Sequence, residues 1–159
     1  MFSRGGNPVL LDGDTLRAGL NKDLGFTPED RAENIRCLAE VATHLARNGH
    51  VAIVAAVSPA REDRATARRI ADTAFREIHI ATPASVCEER DPKGHYKKAR
   101  AGALASFTGI GNDYEAPQAA ELVIDTSTRT VADAVDEIER MLKTTGVLFE
   151  ETVDLAANI

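Results

Sequence analysis

The sequence predicts an α/β domain of three layers, a parallel sheet with helices on both faces. Short apolar runs alternate with longer segments of helical period, in the order strand, helix, strand, helix, strand, helix, long loop, strand, helix. The run 51–57, VAIVAAV, is apolar without interruption, which suits a parallel strand buried on both faces. The run 9–11, VLL, turns polar at Asp12. Asp12 and Asp14 therefore fall at or just beyond the carboxyl end of a strand, the edge where open parallel sheets bind ligands.

The helix after that strand has a legible start. Thr27 can cap it, Pro28 suits the first helical position, and Asp30 stands three residues after the cap. It runs to about Asn48, with Gly49 as its stop, and carries the apolar stripe Ile35, Leu38, Ala42, Leu45. Arg31 precedes Ile35 by four residues and Asn34 precedes Leu38 by four, so both extend the buried face at its N-terminal end. A charge placed there needs a partner, either an internal carboxylate or a ligand phosphate or sulfate.

Ser58-Pro59 ends the strand 51–57, and a basic, polar helix spans about 60–74. Ser58 fits as its N-cap with Pro59 at the first position, but it also lies at a strand's carboxyl end beside the Asp12–Asp14 edge. Residues 77–81, EIHIA, alternate as a third strand, on which His79 is a packed or edge residue. Thr82-Pro83 starts a short helix through Glu89 with the same cap and proline pattern. Residues 90–117 form a long irregular segment, locally basic through Arg90, Lys93, Lys97, Lys98 and Arg100. A loop of that length in a compact domain is functional or disordered. It reads as a mobile lid that excludes water on closing, with Lys98 assigned to the solvated face of an amphipathic helix. Phe26 and Phe107 lie in polar, glycine-bearing loops, where either a core role or a clamp on a planar base accounts for them. ELVIDTS, 121–127, is the last strand. The final helix is capped by Thr130 and carries the stripe Val131, Ala134, Val135, Ile138, Met141, Leu142.

The 159 residues suffice for one domain with its own core, and 43% hydrophobic with 28% charged residues is an ordinary globular balance. A formal net charge of −6 argues against general nucleic-acid binding and against an anionic membrane surface. No apolar run reaches membrane-spanning length, and the N-terminal residues lack the apolar core of a signal peptide. Cys37 and Cys87 lie in helical patterns without metal spacing and read as buried small apolar residues in a reducing, cytoplasmic compartment.

The strings LLDGDTLRAGLNKDLGFTPEDRAENIR, SPAREDRATAR, VCEERDPKGHYKKARAG, FTGI, DYEAP and ELVIDTS, in that order and spacing, resemble the adenylylsulfate kinases. These enzymes transfer the ATP γ-phosphate to the 3′-hydroxyl of adenosine 5′-phosphosulfate (APS), giving PAPS. The resemblance covers residues 1–143 and leaves 144–159 as a C-terminal tail of unassigned role. It implies a parallel sheet of P-loop kinase type and a cytoplasmic, homodimeric enzyme of sulfate assimilation that takes APS and ATP, the latter with Mg²⁺. Arg17, Arg31 and Asn34 would hold the phosphosulfate and sugar of APS, and Phe26 with Phe107 its adenine. Val57, Ser58 and Ser106 would complete the substrate wall, with Ser58 a substrate-positioning hydroxyl in the catalytic set. Lys93 would serve the lid side, the lid closing over both nucleotides. Asp14 would accept a hydrogen bond from the 3′-hydroxyl or orient Mg²⁺ through water, with Asp12 sharing the metal side.

The sequence departs from the family pattern at Ala56, usually aromatic, at His95, usually Leu, and at Ala103 and Ala105, usually polar. The larger departure is the phosphate loop, G-x-x-x-x-G-K-[ST], which the sequence lacks. MFSRGG resembles the last turn and exit of the helix that follows that loop. The expectation is an N-terminally shortened member without the first strand and phosphate loop, inactive as it stands. The alternative is a non-catalytic APS- or PAPS-binding regulatory module associated with ATP sulfurylase.

Overall fold

The computed structural model describes residues 7–103, 108 and 114–147. Its elements are β1 (Pro8–Asp12), α1 (Gly13–Ala18), α2 (Pro28–Arg47), β2 (Val51–Ala55), α3 (Arg61–Ala71) with a 3-10 turn (Asp72–Ala74), β3 (Ile78–Ile80), α4 (Ala84–Arg90), α5 (His95–Arg100), β4 (Leu122–Ile124) and α6 (Val131–Thr144). The order is the expected one, with α1 added between β1 and α2 and α5 added inside the segment read as irregular. All strand pairings are parallel. β1 pairs with β2 from Pro8↔Val51 to Asp12↔Ala55, and β3 pairs with β4 from Ile78↔Leu122 to Ile80↔Ile124. Among the described residues these pairs are two separate two-stranded sheets.

The main core lies where α2 and α3 cover one face of the first pair. Leu11, Ile35, Leu38, Ala39 and Ala67 are buried there, with Val9, Leu16, Val41, Ala42, Leu45, Ile70 and Phe75 packed around them. The stripe read on α2 is thus its core face. Thr27 accepts from the Asp30 N–H at 3.2 Å, as its capping role requires. At the other end Gly49 takes φ 84°, and the His50 N–H reaches back to the Leu45 carbonyl at 3.1 Å. That left-handed turn closes α2 and aims the chain into β2.

Several expectations are corrected. β2 stops at Ala55, and its second half is not buried on both faces: successive residues Ile53 and Val54 are 40% and 42% exposed. They point to opposite sides of the strand: Val54 shares the face of Leu11 at the margin of the core, and Ile53 faces away from it. Ser58 does not cap α3, which starts at Arg61. The Arg61 N–H is instead satisfied by the Glu115 carboxylate at 2.7 Å, a cap supplied from 54 positions away. Thr82 does not cap α4. Its hydroxyl bonds Thr126 Oγ1 at 2.6 Å and accepts from the Thr126 N–H at 3.1 Å, joining the exits of β3 and β4. Thr130 does cap α6, in a reciprocal box with Asp133, yet Val131 and Val135 are exposed because no described element covers the first half of that helix. Cys37 and Cys87 are half-buried free thiols rather than fully buried ones. His79 is packed as expected, its ring stacked on Tyr114 at 5.5 Å.

An ionic network joins α3 to the entrances of β3 and β4. Arg64 meets Glu77 at 2.7 Å, and Arg68 meets Glu121 at 2.7 Å and Glu77 at 3.6 Å. No helix among the described residues is long and apolar enough to cross a membrane.

Candidate functional site

The carboxyl ends of β1 and β2 open into a cavity of about 360 Å³, lined among others by Asp12, Asp14, Arg17, Phe26, Arg31, Asn34, Val57 and Ser58. The parallel register brings Asp12 beside Ala55, so the turns that follow both strands form one rim. Gly13 belongs to that rim for a steric reason: a Cβ there would stand 3.2 Å from the Ala55 carbonyl oxygen.

Asp12 ends β1 and caps α1, accepting from the Thr15 N–H at 2.9 Å and the Thr15 hydroxyl at 3.0 Å. The Thr15 N–H and then its hydroxyl hold the Asp12 carboxyl below the usual carboxylate value. Asp14 sits on the first turn of α1, where Lys93 Nζ donates to its Oδ2 at 2.6 Å. That bond raises the Lys93 amine above the usual lysine value.

The rest of the lining is cationic and aromatic. Arg17 Nη1 donates to the Gly25 carbonyl at 2.7 Å and the Leu24 carbonyl at 3.3 Å, which pins the loop leading to Phe26. Arg31 Nε donates to the Phe26 carbonyl at 3.1 Å, and its Nη1 to the Thr108 hydroxyl at 3.4 Å. Both guanidiniums lie over the Phe26 ring, at 4.7 and 5.7 Å from its centre, while the ring stays 60% exposed. Burial, and then the charge of Arg31, lower the Arg17 value. Two like charges side by side favour an anion between or beside them. Asn34 is buried, and its Oδ1 accepts from Asn21 Nδ2 at 2.9 Å. In these bonds Arg31 meets a backbone carbonyl and a hydroxyl.

Asp12, Asp14, Arg17, Phe26, Arg31, Asn34, Val57 and Ser58 are thus brought together, and Lys93 joins them through Asp14. Ser106 and Phe107 lie outside the described residues. Three contributors escaped the sequence reading: Asn21, Thr108 and Arg64. Arg64 precedes buried Ala67 by three residues on α3, the same register argument that singled out Arg31. An exposed ring, a cationic wall and two rim carboxylates suit a ligand with a planar base, an anionic group and a hydroxyl.

Mg²⁺ can be tested on the donor set. Among the described residues no three His, Cys, Asp or Glu side chains converge on one point. One Asp12 oxygen serves Thr15 and one Asp14 oxygen serves Lys93. The set does not fit an ion held by protein alone. It fits Mg²⁺ carried on phosphates and touched by one or two carboxylates through water.

A family model described as adenylylsulphate kinase matches residues 1–125. An adenylyl-sulfate kinase of Shewanella baltica (strain OS155 / ATCC BAA-1091) is 53% identical over 136 residues, covering 85% of this chain. This chain spans 66% of that relative's length. The adenylyl-sulfate kinase of Paraburkholderia xenovorans (strain LB400) is 49% identical over 138 residues, which is 87% of this chain and 77% of that protein. Among solved structures, the Mycobacterium tuberculosis APS kinase in complex with AMPPNP and APS superposes with a TM-score of 0.84 at 46% identity, over 87% of this chain and 82% of that one. A hexameric APS kinase from Thiobacillus denitrificans superposes with a TM-score of 0.69 at 31% identity, over 94% of this chain and 25% of that one. The parallel strands and flanking helices are those of these kinases. The chain belongs to the adenylylsulphate kinase family.

Proposed function

We propose that this domain binds APS as phosphoryl acceptor and belongs to an enzyme that transfers the ATP γ-phosphate to its 3′-hydroxyl. A bond forms between the 3′-oxygen and the γ-phosphorus, the bond to the β–γ bridging oxygen breaks, and ADP leaves with the electron pair. The hydroxyl proton passes to Asp14. The observation that carries the reading is the Phe26 ring held by Arg17 and Arg31 in the lining of the same cavity as Asp14. The ring offers a stacking surface for adenine, and the guanidiniums offer charge to the phosphosulfate. Asn34, Val57 and Ser58 supply the remaining walls. Phosphoryl transfer relies mainly on positioning and charge stabilisation, which is the work these residues are placed to do. Asp12 and Asp14 would contact, through water, an Mg²⁺ carried on ATP, which would supply charge neutralisation to its phosphates.

Arg31→Ala in the full-length protein tests the reading. APS binding should weaken by about 1.5–3 kcal/mol, the range for a hydrogen bond to a charged group, while AMPPNP binding stays unchanged. Titration calorimetry measures both, and equal APS affinity in the two proteins would return Arg31 to a structural role.

A further inference from the structure

Ser58 takes φ 44°, and with Asp72 it is one of two non-glycine residues with φ above 20° among those described. A side chain keeps that conformation only where its surroundings over-determine it. One residue does so here. Arg64, on the first turn of α3, is 8% exposed. Its Nη1 donates to the Ser58 carbonyl at 2.6 Å and the Pro59 carbonyl at 3.2 Å. Its Nη2 donates to the Glu115 carbonyl at 2.5 Å, and its Nε to Glu77 Oε1 at 2.7 Å. The guanidinium also lies over the Tyr114 ring at 5.3 Å. Around it, the Glu115 N–H donates to the Pro59 carbonyl at 3.0 Å, and Arg61 donates to the Ala116 carbonyl at 3.3 Å. The exit of β2, the segment 114–116 and the entrance of β3 therefore meet on one side chain.

Arg64 is not among the residues lining the cavity, whereas Ser58 and Pro59 are. We propose that Arg64 is a positioning residue for the acceptor site: its fork sets the Ser58-Pro59 turn and locks segment 114–116 against it, which fixes Ser58 in the cavity wall. The inference rests on the reading of Ser58 as a contact of the acceptor nucleotide. It depends on fork geometry rather than charge, because three carbonyls and a carboxylate are served by one planar group. Lysine, with one ammonium, cannot serve all four.

The test is a double-mutant cycle in the full-length protein. Wild type, Ser58→Ala, Arg64→Lys and the double variant are compared by KM for APS, KM for ATP, and Tm. Ser58→Ala and Arg64→Lys should each raise the APS KM by about tenfold, the scale of one lost hydrogen bond, and leave the ATP KM unchanged. The double variant should be no worse than either single one, because both act through the same hydroxyl. Glu77→Gln, which leaves the turn's own contacts in place, should lower Tm without moving the APS KM. Should Arg64→Lys fail to fold, Arg64→Gln with Glu77→Gln removes both partners' charges together and is read in the same way. An additive double variant would overturn the proposal while leaving the Ser58 reading intact. A fall in Tm with no change in APS KM would assign Arg64 to stability alone. An unchanged APS KM in Ser58→Ala would remove the Ser58 reading and the Arg64 proposal with it.

Discussion

Lys93 Nζ stands 2.6 Å from Asp14 Oδ2, although 79 positions separate the two residues in sequence. The contact closes the segment that follows α4 onto the rim of the cavity. Both side chains are more than half exposed, so the pair contributes little to stability. It places a cation beside the rim carboxylate that the proposal makes the contact of the acceptor hydroxyl. Lys93→Met is expected to leave Tm unchanged and to lower kcat/KM for APS by about tenfold, one charged hydrogen bond's worth. Asp14→Asn should lower kcat by about 10²–10⁴, the range for a general base. Because Lys93 is raised above the usual 10.5, the pair's contribution is complete at lower pH and is lost only as pH rises through that higher value. Steady-state kinetics at neutral pH and thermal melts of both proteins up to about pH 11.5 check both statements, and a wild-type advantage that disappears well below the usual lysine value would contradict them.

Asn21 and Asn34 form a buried amide pair at 2.9 Å, linking the loop after α1 to α2. Asn21→Ala leaves the Asn34 carbonyl without its donor in a buried place. The expected loss is about 1–3 kcal/mol of unfolding free energy, read from urea denaturation. Asn34 lines the cavity while Asn21 does not, so APS affinity should fall with it and ATP affinity should not. A stable variant with unchanged APS binding would show that the pair is not needed to hold the site.

The helix start at Thr27, the stripe on α2 and the position of Arg31 were legible because each depends on residues within one or two turns. What the sequence concealed depends on distant chain. Ser58 and Arg61 form a turn that looks like a self-capped helix start, but Glu115 supplies the cap and Arg64 the carbonyl contacts. Thr82 reads as a cap for the same local reason, and Thr126 claims its hydroxyl. The apolar run 51–57 shows that β2 is suited to burial on both faces, while its actual cover depends on neighbours that a local pattern does not contain. Arg64 hid in a string whose four arginines in nine residues, 61–69, look alike until burial separates one of them.

Glu33 makes an acid-sensitive contact on the outer side of α2. Arg36 donates to both its oxygens at 2.8 Å, and Cys37 Sγ donates at 3.4 Å. The Arg36 bonds first, and then Cys37, bring its value from the usual 4.5 to about 2. Its folded value lies below its unfolded one, so its contribution is complete above pH 4.5 and is lost as pH falls through about 2. Because the pair is exposed, Glu33→Gln should lessen only slightly the fall of the denaturation midpoint between those values and leave the curve above pH 6 unaltered in shape. A wild-type slope in the variant would mean that other carboxylates carry the acid limb.

Leu10 and Ile53 are direct partners across β1 and β2, and they are 63% and 40% exposed on the face away from the α2 core. Val54 and Val57 are exposed further along the same edge, and Ile80 and Val123 on the second strand pair. Apolar side chains gathered on a sheet attract apolar probes and other sheets, because burying such a residue is worth about 1.5–3 kcal/mol. The 159-residue chain is therefore expected to bind 8-anilinonaphthalene-1-sulfonate (ANS) under native conditions and to self-associate as concentration rises. Replacing both partners, Leu10→Thr with Ile53→Thr, keeps strand-compatible residues at paired positions and removes the apolar surface. That variant should show weaker dye fluorescence and less association, with the core around Leu38 and Ile35 untouched and unfolding as cooperative as before. Dye titration and sedimentation velocity on both proteins decide it. A monomeric wild-type chain that ignores the dye would mean that this face is covered in solution.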